Sequence, residues 1–184
     1  NTNLIESAIS GGAFLTSELS LAFSCLSNEK IVAVTGSVGK STCTALLAEA
    51  FEAVDGNSLA VGNIRHSWAD YVMDVREKKI KAATWLSLEL SSYQLENFEN
   101  LKADHSVLTF FTANHLERYK SLVHYYSTKW SLVEKTTGSV FVNAKSSDLF
   151  EFSNKRANAN LTWISPKDPS VAVHDLKSST LLGE

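Results

Sequence analysis

The hydrophobic pattern alternates between short apolar runs and helical stripes. Ile31-Val32-Ala33-Val34 is a continuous apolar run closed by a turn, which reads as a strand buried on both faces. Residues 41–54 come next, with Leu46, Leu47, Ala50, Phe51 and Val54 at helical spacing. Residues 58–61 predict a second strand. Residues 83–90 predict a third, with Leu86, Leu88 and Leu90 on one face and Trp85, Ser87 and Glu89 on the other. A fourth strand is expected at 106–109, a helix at 121–135 with Leu122, Tyr126, Trp130 and Val133 on one face, and a fifth strand at 139–142. Residues 160–164 and 171–173 carry weaker strand patterns. Ahead of the first strand, 4–9 reads as a helix stopping at Gly11-Gly12, 13–16 as a short strand and 17–26 as a helix.

Strands that alternate with helices imply βαβ units. The expected fold is α/β, a mainly parallel sheet with helices on both faces. In such sheets ligands sit beyond the carboxyl ends of the strands. The chemistry is therefore sought in the segment after each strand.

Composition narrows the classes. A chain of 184 residues suits about one domain. Hydrophobic residues at 44% and charged residues at 20% exclude a disordered tail, a collagen-like fibre and a disulfide-stapled miniprotein. The net charge of −3 gives no basic field for nucleic acid. The only cysteines, Cys25 and Cys43, fit a reducing, cytoplasmic setting. No apolar run reaches the roughly 20 residues of a membrane span, so no membrane insertion is expected. Asn1 opens the chain without a signal-peptide pattern, which reads as a piece of a longer product.

After the first strand comes Thr35-Gly36-Ser37-Val38-Gly39-Lys40-Ser41-Thr42, then a helix. The two glycines let the backbone turn so that its N–H groups face one point, and the helix N-terminus adds positive potential there. Lys40 can reach terminal phosphates, and the Ser41 hydroxyl can ligate Mg²⁺. The full phosphate-loop pattern would have Gly where this chain has Val34, so the match is to Gly-Lys-Ser in a strand–turn–helix setting. After the second strand comes Gly62-Asn63-Ile64, where Asn63 could cap a helix or serve a turn. The third strand ends at Glu89, a carboxylate that needs a partner when buried. That partner could be nucleotide-bound Mg²⁺ or any Lys or Arg. After the fourth strand lies Asn114-His115-Leu116-Glu117-Arg118-Tyr119. Lys129 stands on the next helix, where a lysine is ordinarily a solvated charge.

Taken in order, these motifs resemble the Mur ligases of peptidoglycan synthesis. The resemblance rests on residues 34–42, Gly62-Asn63-Ile64, Glu89-Leu90-Ser91-Ser92-Tyr93-Gln94-Leu95-Glu96, residues 114–119, Tyr126-Ser127-Thr128-Lys129 and Val142-Asn143-Ala144, and covers most of 3–145. The Glu89–Glu96 stretch points to the D-glutamate-adding branch.

The resemblance implies a P-loop-containing central domain over 28–184, incomplete at its C-terminal end, with 1–27 as the end of an N-terminal domain and its linker. It implies ATP and Mg²⁺ as cofactors, and peptidoglycan, cell-wall, cell-shape and cell-division roles. Thr35, Gly36, Ser37, Val38, Gly39, Lys40, Ser41 and Thr42 would hold the nucleotide. Ser41 and Glu89 would hold one Mg²⁺, and His115 a second, with Lys129 supplying a carbamate oxygen near it. Lys40, His115 and Lys129 would be the catalytic set. Asn63, Ser91 and Gln94 would face a UDP-muramoyl substrate, to which D-glutamate is added through an acyl phosphate. The working enzyme is expected to be a monomer, and this chain alone is expected not to make product.

The sequence departs from the family pattern at Val38 and Phe110, where Asn is usual, at Asn114, where an acidic residue is usual, and at Arg65, where Gly is usual. The alternative is therefore a degenerate Mur-like nucleotide-binding module without ligase activity. An unrelated small kinase or GTPase would predict an Asn-Lys-x-Asp base-recognition motif, and the sequence contains none.

Overall fold

In the computed structural model, residues 2–64, 66–114, 117–156 and 160–165 are described. The elements in chain order are α1 (Thr2–Ser10), α2 (Glu18–Phe23), β1 (Lys30–Thr35), α3 (Lys40–Asp55), β2 (Ser58–Gly62), α4 (Trp68–Arg76), β3 (Trp85–Glu89), α5 (Ser92–Glu96), β4 (His105–Leu108), α6 (Leu122–Glu134), β5 (Val140–Asn143), α7 (Ser147–Ser153) and β6 (Leu161–Ile164). The strands form one six-stranded sheet in the order β2-β3-β1-β4-β5-β6. Every pairing is parallel.

Parallel sheets need both faces covered, and the burial shows it. Ile31 to Thr35 are all buried on β1. On β3 the expected alternation is hidden, because Ser87 and Glu89 are as buried as Leu86, Leu88 and Leu90. One cluster gathers Ile31, Leu86 and Leu88 with Trp68, Tyr71 and Phe98. A second gathers Leu108, Val140 and Val142 with Tyr125, Tyr126, Trp130 and Phe152.

Three helices lie outside the sequence expectation. Helix α4 opens on Ser67, whose hydroxyl accepts from the Asp70 N–H at 3.0 Å. It buries Trp68, Tyr71 and Val72. That is a capped amphipathic stripe, legible in principle. Helices α5 and α7 have five and seven residues, too few for periodicity to declare them.

One expectation is corrected. Residues 13–16 form no strand, and Phe14 is 86% exposed. The apolar run Ala13-Phe14-Leu15 has β-like composition but no neighbouring strand to pair with, and composition alone does not make a ladder. Helix α1 does stop at Gly11-Gly12, with Gly12 in a left-handed conformation at φ 91°. The weak strand pattern at 171–173, like Arg65 and His115, lies outside the described residues.

Candidate functional site

The strand order places the ends of β3, β1 and β4 side by side. The turn after β1 lies between the other two. Gly39 caps α3 in a left-handed conformation at φ 83°. Gly36 is required for a different reason, since a Cβ there would strike Thr109 Oγ1 and crowd the Phe110 backbone. The loop is thus pressed onto the end of β4.

Hydrogen bonds fix that contact. The Ser37 N–H donates to Phe110 O at 2.6 Å. The Ser37 hydroxyl donates to Thr112 O at 2.9 Å and accepts from the Thr112 N–H at 3.1 Å. It also lies 3.2 Å from the Tyr125 hydroxyl. Thr109 Oγ1 donates to Val38 O at 2.6 Å. On the other side, Thr35 Oγ1 donates to Leu90 O at 2.9 Å. These bonds tie the loop to the ends of both β3 and β4.

Lys40 and Ser41 begin α3 at this turn. Lys40 Nζ reaches back to Ser37 O at 3.4 Å, a long and weak contact. Ser41 and Thr42 are exposed, and Val38 is 59% exposed beside them. Val38 makes an antiparallel bridge with Phe110, so two of the departing positions meet at the mouth of the turn.

Two buried charges flank the loop. Glu89 is 1% exposed. Its Oε1 accepts from Asn63 Nδ2 at 3.0 Å, while its Oε2 has no hydrogen-bond partner among the described residues. Lys129 is 2% exposed on α6. Its amine donates to Gly36 O at 2.8 Å and lies 4.6 Å from the Tyr125 ring centroid. Burial, reinforced by the charge of Lys40, lowers its pKa from 10.5 to about 7. A substantial fraction of the amine is therefore neutral at neutral pH.

The remaining expected residues have other local duties. Asn63 stands just past the end of β2 and does not cap a helix, since α4 is capped by Ser67. Ser91 caps α5 and forms a capping box with Gln94. The Ser91 N–H donates to Gln94 Oε1 at 2.9 Å, and the Gln94 N–H donates to Ser91 Oγ at 3.3 Å. Both are occupied with each other as well as near the site. Thr109, Thr112 and Tyr125 were not singled out by sequence. Tyr125 stands one helical turn before Lys129, a spacing that places both on one face.

The donors suit a divalent cation. Among the described residues no group of three His, Cys, Asp or Glu forms a metal cluster. Mg²⁺ needs none, because it takes one or two protein carboxylates and completes its shell with phosphate and water oxygens. The unpartnered, buried Glu89 Oε2 beside a phosphate-type loop fits that demand.

Residues 34–180 match the Mur ligase middle domain. The UDP-N-acetylmuramoylalanine--D-glutamate ligase of Rippkaea orientalis is 33% identical over 141 residues, covering 77% of this chain and 31% of that protein. The ligase of the same name from Synechococcus sp. (strain JA-3-3Ab) is 33% identical over 97% of this chain and 38% of its own length. This chain thus spans about a third of these curated relatives. Among solved structures, the UDP-N-acetylmuramate:L-alanyl-gamma-D-glutamyl-meso-diaminopimelate ligase from Neisseria meningitides shares the fold, with a TM-score of 0.62 at 14% identity over 86% of this chain and 53% of that one. A UDP-N-acetylmuramoyl-L-alanyl-D-glutamate--2,6-diaminopimelate ligase gives 0.58 at 20% identity over 75% and 32%. The chain belongs to the Mur ligase family, and the part of the family it matches is the middle domain.

Proposed function

We propose that this chain is the ATP-binding unit of a ligase that adds D-glutamate to UDP-N-acetylmuramoyl-L-alanine, working as a monomer in the cytoplasm. The observation that carries the reading is the loop at residues 35–42 with, on either side of it, a buried amine and a buried carboxylate oxygen that has no partner among the described residues. The relatives' name supplies the substrate class.

The family reaction transfers the γ-phosphoryl group of ATP to a substrate carboxylate, giving an acyl phosphate and ADP, and the D-glutamate amine then displaces phosphate to form the amide. The chain's own part is to hold the nucleotide and stabilise charge on the transferring phosphoryl group. The loop N–H groups and the N-terminus of α3 face the phosphates. Lys40 exchanges its weak hold on Ser37 O for a phosphate oxygen. Ser41 and Glu89 would hold Mg²⁺, which supplies charge neutralisation at the phosphates when bound. Lys129 would act after its neutral amine takes up CO₂ and gives up a proton to solvent, leaving a carbamate as an anionic oxygen donor. Asn63, Ser91 and Gln94 would line the approach of the muramoyl substrate. His115 is assigned to the metal by the motif alone.

A second reading is favoured by one feature. Val38 and Phe110 place two exposed apolar side chains at the loop. A nucleotide-binding module without ligase activity would tolerate that.

Calorimetric titration with ATP and Mg²⁺, alongside Lys40→Ala, tests the shared claim. The wild type should bind, and the variant should bind about 10- to 100-fold more weakly, the worth of one charge-assisted contact. A folded wild-type chain that binds no nucleotide overturns the proposal. The chain by itself should release no phosphate on addition of both the muramoyl substrate and D-glutamate. Release that needs both would show that this one unit suffices.

A further inference from the structure

The geometry points to Asn63 as a positioning residue for Glu89, one that fixes which carboxylate oxygen is offered to a divalent cation. The inference rests on the phosphate-site reading and deepens it.

The register of the sheet sets Gly62 directly beside Glu89. Gly62 has φ 106°, and a Cβ there would run into the Glu89 carbonyl oxygen. The end of β2 therefore lies flush on the end of β3. From that position Asn63 grips Glu89 twice. Its backbone N–H donates to the Glu89 carbonyl at 3.0 Å, and its side-chain amide donates to Oε1 at 3.0 Å. The first bond holds the main chain. The second stops the carboxylate from rotating about its terminal bond.

What remains is Oε2, buried and without a donor among the described residues. An ionised carboxylate can accept about four hydrogen bonds, so a buried bare oxygen is an unmet demand. The nature of the holding group matters. A Lys or Arg in place of Asn63 would both orient the carboxylate and cancel its charge. A neutral amide orients it and leaves the charge uncancelled. Glu89 is thus held as a one-oxygen ligand, with Oε1 on Asn63 and Oε2 presented to the cation. Outer-shell partners of this kind typically change metal affinity by about 10- to 100-fold.

The test uses Mn²⁺ as a paramagnetic stand-in for Mg²⁺, with a non-hydrolysable ATP analogue, and reads free Mn²⁺ by electron paramagnetic resonance. Wild type, Asn63→Ala and Glu89→Gln are compared, and each is also titrated with the analogue in chelator. Asn63→Ala should weaken Mn²⁺ by about 10- to 100-fold and leave metal-free nucleotide binding unchanged. Asn63→Ser, whose shorter hydroxyl cannot span to Oε1 from the same backbone, should do the same and covers a failure of the alanine variant to fold. Mn²⁺ affinity within twofold of wild type in these variants overturns the inference while leaving the phosphate-site reading intact. So does an equal loss of metal-free nucleotide binding, which would assign Asn63 to loop structure instead. A wild type that binds neither nucleotide nor Mn²⁺ overturns both.

Discussion

The two ends of the same parallel sheet treat their ionisable side chains differently. At the amino end, Asp104 Oδ2 accepts from the Ile31 N–H at 2.7 Å. The Tyr71 hydroxyl donates to Glu29 at 2.9 Å and accepts from the Ala83 N–H at 2.8 Å. His105 Nδ1 accepts from the Ser139 N–H at 3.1 Å. Each of these groups closes a gap where a strand begins. At the carboxyl end, among the described residues, Glu89 keeps a bare buried oxygen, and the Lys129 amine donates to the Gly36 carbonyl alone. Folding gains nothing from burying such groups. The amino end is built for stability, and under the proposed function the carboxyl end holds charge for a ligand. Local rules broken at one place and kept at another mark the place where function lies.

The comparison can be broken most forcefully at Gly36. Gly36→Ala drives a Cβ into Thr109 Oγ1 and crowds the Phe110 backbone. The Thr109 hydroxyl can turn aside only by giving up its bond to Val38 O, and the Phe110 backbone must shift. A loss of about 3 kcal/mol is expected, from overpacking together with the unfavourable backbone angle. In a chain of this size that lowers Tm by about 6–12 °C. Thermal unfolding checks it, and an unchanged Tm would mean that the loop is not pressed onto β4 at all.

Asp104→Ala attacks the other end. It strips the acceptor from the buried Ile31 N–H. The expected loss is about 2 kcal/mol, the desolvation cost of an orphaned donor. Nucleotide affinity should stay within twofold, since the change lies at the far end of β4. A variant that loses ATP binding while keeping its stability would erase the distinction between the two ends.

Much of this was legible in the sequence, for identifiable reasons. The loop was, because Gly36, Gly39 and Lys40 sit between an apolar run and a helical stripe. Glu89 was, because a carboxylate closing a buried strand needs a partner. Lys129 was not legible from its residue type, since helical lysines are ordinarily solvated. Its position was the available signal: it falls seven residues after Leu122, on the apolar stripe of Leu122, Tyr126, Trp130 and Val133. The roles of Thr109 and Thr112 were invisible, because they depend on which strand end lies beside the loop. Strand order is a tertiary fact that no local pattern carries. Helices α5 and α7 escaped because a helix of about one or two turns shows no period.

The pH dependence sharpens the comparison further. Burial lowers the Lys129 pKa from 10.5 to about 7 in the folded chain. Between those values the unfolded chain binds more protons than the folded one, so this group makes stability rise with pH across that window. Below about pH 7 the penalty for keeping the amine buried is fully present. Lys129→Met removes it. The variant should gain about 1–2 kcal/mol at pH 7, after loss of the bond to Gly36 O is deducted. The gain should shrink steadily as pH rises towards 10.5, where the burial penalty is gone and the lost bond to Gly36 O remains. Urea unfolding of both proteins from pH 6 to 10 reads it directly, and a gain that does not vary with pH would show that the buried amine is not the source.

The smallest effect discriminates best, because it carries the opposite sign to that of Asp104. Glu89→Gln keeps the shape of the side chain. Its amide oxygen can still accept from Asn63 Nδ2, while an NH₂ takes the place of the bare Oε2. The buried negative charge disappears, so stability should be unchanged or rise by about 0.5–1 kcal/mol. The Mg²⁺-dependent part of nucleotide binding should be lost at the same time. The two carboxylates at opposite ends of the sheet would then answer removal of their charge differently, Asp104 by losing stability and Glu89 by losing a ligand. Denaturant unfolding with a parallel ATP titration decides it. A drop in stability of more than about 1 kcal/mol would mean that Glu89 holds the end of β3 together as Asp104 holds the start of β1. The orphaned oxygen would then carry no information about function.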